Sequence, residues 1–160
     1  MARKKQQVSQ AVRVLREAGV EFTDHHYRYQ EGGGTALSAS ELGVDEHLVI
    51  KTLIMQDENA QPLIVLMHGD REVSTKALAR TLGVKSIQPC APARANVHSG
   101  YQVGGTSPFG TRREMPVYCQ RSILELAAIY INGGARGYLL SLDPKELQRV
   151  LQPTLVDVAR

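Results

Sequence analysis

The run Leu48-Val49-Ile50-Lys51-Thr52-Leu53-Ile54-Met55 constrains this chain most, because it is too apolar and β-branched to lie anywhere but inside a sheet. A second run of the same kind, Leu63–Met67, follows after the polar segment Gln56–Gln61, and the spacing predicts a β-hairpin. Two such strands need cover on both faces, so helices must pack against the sheet that contains them. Lys51 breaks the pattern. Period-2 geometry puts it on one face with Val49, Leu53 and Met55. A lysine there either reaches an edge and discourages aggregation or projects into a lined pocket. Both readings stand at this point.

The flanking segments predict the rest of the architecture. Val8, Val12, Leu15 and Ala18 recur at helical spacing before Gly19. Phe22–Tyr29 alternates like a strand, Gly32-Gly33-Gly34 breaks the chain, and Thr35–Leu42 reads as a short helix ended by Gly43. Ser74 caps a helix over Thr75–Leu82. Ser86–Pro89 reads as a short strand, Ala91–Val97 as a helical turn, Met115–Cys119 as a strand and Ser122–Leu126 as a helix. Ala128–Asn132 and Gly137–Leu142 are strands split by a turn at Gly133–Arg136, and Pro144 opens a last helix ending at Leu151. This irregular alternation predicts an α/β chain of the α+β type. The expected form is a single domain over residues 1–160, with a mixed, mostly antiparallel sheet or open barrel surrounded by helices. Residues 1–7 are expected to form a flexible basic tail.

Composition narrows the classes of function. Cys90 and Cys119 are isolated thiols with no Cys-x-x-Cys pair, which fits a reducing compartment and no disulfide framework. No run approaches the ~18 apolar residues of a membrane span, and a cytoplasmic location is expected. The net charge is only +3, but it is unevenly spread. Val20–Pro62 carries eight acidic residues against Arg28 and Lys51, whereas Arg71–Arg121 carries eight basic ones against Glu72 and Glu114. A polyanion could use that asymmetry, and so could an ordinary solvated surface.

Two glycine turns are the remaining candidates. Gly104-Gly105-Thr106-Ser107-Pro108-Phe109-Gly110 could aim backbone N–H groups at an oxyanion or phosphate, or could be a tight loop. Asn132-Gly133-Gly134-Ala135-Arg136-Gly137 could be a plain turn, or could bring Arg136 to a phosphate or ribose. Tyr27 shares a strand face with His25 and Tyr29. No metal or cofactor is expected, since the five histidines lack zinc spacing. Ser107 is not in a Gly-x-Ser-x-Gly elbow. An enzyme built this way lacks both a metal and an activated nucleophile.

Val49–Leu53, Gly100–Gly110 and Ile129–Gly137, taken in that order and spacing, resemble the YbaK-type deacylases. These are bacterial trans-editing proteins related to the insertion domain of prolyl-tRNA synthetases. The resemblance runs from about Val8 to the C-terminus. It implies cleavage of mischarged aminoacyl-tRNA, with Cys-tRNA(Pro) the leading substrate. It also implies that the substrate thiol attacks its own ester while the protein supplies placement and electrostatics. The residues it marks for the reaction are Lys51, Gly104, Gly105 and Ser107. Tyr27, Thr106, Pro108, Phe109, Gly133, Gly134 and Arg136 are expected against the substrate. The tRNA(Pro) acceptor end and prolyl-tRNA synthetase are the implied partners. Editing of another pair such as Ala-tRNA(Pro), or a non-catalytic tRNA-end module, are the alternatives. One departure stands out: some relatives carry Asp where this chain has Leu139.

Overall fold

The computed structural model describes residues 8–160, and the basic tail expected over residues 1–7 lies outside them. The hairpin forms as expected: β2 (Val49–Asp57) pairs antiparallel with β3 (Pro62–His68), Lys51 opposite Met67 and Leu53 opposite Val65. Every residue of β3 is buried, as a central strand covered on both faces must be. Around this pair, β1 (Thr23–His26), β4 (Ile87–Pro89), β5 (Val117–Gln120), β6 (Ile129–Ala135), β7 (Tyr138–Leu142) and β8 (Thr154–Val156) complete one sheet. Its order is β1-β7-β6-β2-β3-β5-β8, with β4 also against β2. The ladders β1–β7, β2–β3, β2–β4 and β6–β7 are antiparallel, and β2–β6, β3–β5 and β5–β8 are parallel. The sheet is therefore mixed and mostly antiparallel, as the sequence predicts.

The helices arise from local signals. Ser9 caps α1 (Gln10–Glu17) by accepting the Val12 amide at 3.1 Å, and the helix buries Ala11, Val12 and Leu15 in the main core. α2 (Gly34–Leu42) ends at Gly43, and Ser74 caps α3 (Thr75–Leu82). α4 (Pro92–Ser99) and α5 (Lys145–Leu151) both begin next to a proline, whose missing N–H costs nothing in a first turn. The two faces of β2 divide the core: Ile50 and Ile54 join the main cluster with Leu15, Phe109 and Ile131. Met55 packs with β3 and α3, and Val49 with Ala39 and Leu139. Among the described residues no helix is long and apolar enough to cross a membrane.

Three elements differ from expectation. The early strand pairs only over Thr23–His26, because beyond the Tyr27 amide (which reaches the Gly137 carbonyl at 3.0 Å) the chain leaves the sheet. The second glycine segment turns only at Arg136-Gly137, not over Gly133–Arg136. β6 continues through Gly133 and Gly134 to Ala135, with the register shifting between Asn132 and Ala135. The Asn132 side-chain carbonyl takes the Gly134 and Ala135 amides (2.7 and 3.2 Å), replacing the ladder partners that the bulge removes. The third, β8, follows Pro153 and has only three residues, too short for periodicity to reveal.

Candidate functional site

A split in the sheet creates the principal cavity. The near end of β2 pairs with β6 at Val49 and Ile50, and its far end pairs with β4 from Met55 to Asp57. No strand covers that edge between them. Residues two apart along a strand turn their amides to the same edge. Since the Ile54 carbonyl accepts from Cys90 N–H at 3.0 Å, the Thr52 amide and carbonyl face the open gap. The gap widens into a cavity of about 470 Å³, within the range of small-molecule sites.

Lys51 lines this cavity and is half-buried. No carboxylate lines the cavity, and among the described residues Lys51 makes no ion pair. A lone cation in a mostly apolar recess favours an anion or an electron-rich oxygen there. Beside it, Thr52 Oγ1 is the one buried side-chain oxygen among the described residues without a hydrogen-bond partner. Such an atom is costly unless something fills the space before it. Leu139, buried beside Val49, makes this part of the wall apolar.

The one thiol in the cavity is not activated. Cys90 lines it, and burial pushes its pKa up, against the lowering effect of Arg94, so the thiol stays protonated at neutral pH. Burial likewise raises the Tyr27 hydroxyl, against the lowering effect of its Gly137 backbone bond. The other thiol, Cys119, is fully buried and pushed up to about 12 by burial.

Of the residues singled out in the sequence, Lys51, Tyr27, Gly104 and Thr106 line the cavity together. The others do not. Ser107 is fully buried, and its Oγ accepts the Phe109 amide at 3.1 Å inside the loop. Phe109 is fully buried in the main core, its carbonyl accepting the Tyr101 hydroxyl, and Pro108 is buried between them. The turn's apolar residues thus anchor it and leave its glycine end free. Gly105 N–H is spent on the Gln102 carbonyl (2.8 Å), so it is not an oxyanion donor, while the Gly104 and Thr106 amides donate to nothing among the described residues. Gly133 turns its carbonyl to Ser9 Oγ on the far side of β6, and a side chain there would strike Tyr138. Gly134 (φ +100°) packs against Tyr101 and Ser9. Because Phe109 is core, Phe109→Ala should cost about 3–5 kcal/mol of stability, read by denaturant unfolding. A loss under 1 kcal/mol would show that the loop is not anchored there.

Sequence reasoning missed how the two glycine segments meet. Asn132 Nδ2 donates to the Gly104 carbonyl at 3.2 Å, and Arg136 Nε donates to the Val103 carbonyl at 3.0 Å. The Arg136 guanidinium lies over the Tyr29 ring, 5.0 Å from its centroid. Tyr29 and Asn132 both line the cavity. The asparagine that opens the second glycine segment was the available signal. The helix over Thr35–Leu42 was expected but not its place at the site: Leu37 and Ser38 of α2 wall the cavity, with Gly32 and Gly34 before them. The basic block Arg71–Arg121 contributes no arginine or lysine to the cavity.

The model of the family described as "Aminoacyl-tRNA editing domain" matches residues 33–150. The Enterococcus faecalis protein named "Putative Cys-tRNA(Pro)/Cys-tRNA(Cys) deacylase EbsC" is 28% identical over 149 residues, 92% of this chain and 91% of its own length. A proline–tRNA ligase from Streptococcus equi subsp. zooepidemicus is 26% identical over 103 residues, 64% of this chain and 16% of the ligase. Among solved structures, the hypothetical protein APE2540 superposes with a TM-score of 0.86 at 22% identity, covering 95% of this chain and all of that one. That last likeness establishes the fold.

Proposed function

Since this chain belongs to the aminoacyl-tRNA editing domain family, we propose that it removes cysteine from mischarged tRNA(Pro), acting as a free-standing deacylase in the cytoplasm. The observation that carries this reading is the cavity itself: an unpaired lysine and an orphaned threonine oxygen in a recess with no carboxylate and no ionised thiol. Such a site can hold an ester and stabilise negative charge, and it offers neither a carboxylate base nor an ionised thiol to activate an attacking group. A nucleophile carried by the substrate suits it. In cysteinyl-tRNA the side-chain sulfur bonds to its own carbonyl carbon, the ester C–O bond breaks, and the thiol proton ends on the ribose oxygen. The products are a thiolactone and free tRNA. Holding the two reacting atoms in line can lower the barrier by ~7–11 kcal/mol.

In this scheme Lys51 meets the terminal ribose or its flanking phosphate. The Gly104 and Thr106 amides face the developing oxyanion, and Tyr27 and Leu139 shape the space left for the aminoacyl group. Prolyl-tRNA synthetase is the proposed source of tRNA selectivity, in keeping with the ligase relatives.

Cys-, Ala- and Ser-charged tRNA(Pro) test the proposal directly. Cysteinyl-tRNA should be cleaved at least ~10²-fold faster than the seryl form, because a thiol near its pKa of about 8.5 supplies thiolate where a hydroxyl supplies none. For the same reason the rate should rise from pH 6.5 to 8.5. Equal turnover of the three substrates would remove the substrate-thiol mechanism, and binding without release of free tRNA would remove the deacylase reading.

A further inference from the structure

A second cleft, of about 310 Å³, lies on the far side of the Arg136 wall and includes Ser9, Arg16, Asp24, His26, Arg136 and Tyr138 in its lining. We propose that it holds a phosphodiester of the single-stranded tRNA 3′ end, just upstream of the nucleotide in the first cavity. This rests on the tRNA-deacylase reading.

The charge of the cleft supports an anionic occupant. Arg16 and Arg136 are exposed, and among the described residues neither forms an ion pair. The cleft's one carboxylate, Asp24, is engaged by the Tyr138 hydroxyl at 2.9 Å. His26 stacks on that same tyrosine ring, 4.9 Å between centroids and 28° apart, so it is held at the rim. The Arg16 guanidinium, without a hydrogen-bond partner among the described residues, and that of Arg136, engaged only through Nε and the Tyr29 ring, suit phosphate oxygens in a nucleotide-sized recess.

Position ties the cleft to the cavity. Arg136 lines the cleft, yet its Nε bonds the carbonyl of Val103 and its guanidinium covers Tyr29, and both of those residues line the cavity. One side chain therefore forms the partition. A strand whose terminal nucleotide enters the cavity beside Gly104 passes Arg136 and brings its next phosphate towards Arg16. Neither arginine belongs to the basic block Arg71–Arg121 seen in the sequence, so that block is not what marks the path.

The test is equilibrium binding of an uncharged single-stranded RNA ending in CCA to the full chain over a range of salt. Arg16→Ala should weaken binding about tenfold at low salt and lower the salt slope by ~0.7, the loss of one phosphate contact on a single strand. Arg16→Lys should restore most of the slope, and Lys145→Ala, exposed at the start of α5, should match the parent. Parent-like affinity and slope in Arg16→Ala would overturn the proposal, as would a parent that does not bind this RNA. Displacement of the RNA by inorganic phosphate at equal phosphate concentration would also overturn it, because the cleft would then be a free-anion site. Deacylation by the parent is measured in the same preparation. An active parent with no Arg16 effect removes the cleft alone; an inactive parent with Arg16-dependent RNA binding removes the deacylase reading alone.

Discussion

Lys51→Ala is expected to reduce deacylation of Cys-tRNA(Pro) by a factor on the order of 10²–10³, the range for losing one preorganised charge-stabilising group. Its effect on stability should be small. The side chain is half-buried and makes no ion pair among the described residues, so truncation leaves no partner stranded. It also relieves the cost of holding a cation in an apolar recess. The unfolding free energy should therefore stay within about 0.5 kcal/mol of the parent. Initial rates on mischarged tRNA and a denaturant curve on the same protein read both quantities. Unchanged turnover would show that the cation is a surface-reaching edge lysine after all. Lys51→Arg should keep part of the rate, since charge is retained but the planar fork does not fit where a compact ammonium sat.

Gly105→Ala should have the next largest effect, and for a different reason. Gly105 does not have a positive φ, so alanine can adopt its backbone conformation. The obstacle is space: a Cβ there would lie 2.8 Å from Arg136 N and 2.9 Å from the Ala135 carbonyl carbon, both main-chain atoms that cannot swing aside. The loop must lift from the β6–β7 bulge. That movement strains the bonds from Asn132 to the Gly104 carbonyl and from Arg136 to the Val103 carbonyl. A displacement near 1 Å at positioning groups typically costs about 10²-fold in rate. The overpacking should cost about 1–3 kcal/mol in stability. Turnover within threefold of the parent would mean that the close packing of the two glycine segments does not set the geometry of the site.

Much of the framework was legible because its signals are local. Ser74 and Gly43 mark helix ends, and the apolar runs Val49–Met55 and Leu63–Met67 specify a hairpin with Lys51 on a definite face. What escaped were features whose cause lies far away in the chain. The bulge at Asn132–Ala135 reads as a turn until the asparagine side chain is seen replacing its ladder partners. Ser107 and Phe109 read as site residues because they sit in a glycine loop, and only the packing of Phe109 against α1 and the sheet shows that they anchor it.

The residue types around Lys51 thus determined that a cation would sit on a covered strand, and the glycines determined that two backbone segments could approach closely. Neither said which strand edge would be left open. That depended on β6 and β4 each pairing with part of β2, an arrangement set by contacts between residues 30 or more apart. A strand's sequence specifies which face each side chain takes, because the pleat alternates every residue. Its edge partners come from elsewhere in the chain, and the gap between two of them became the cavity.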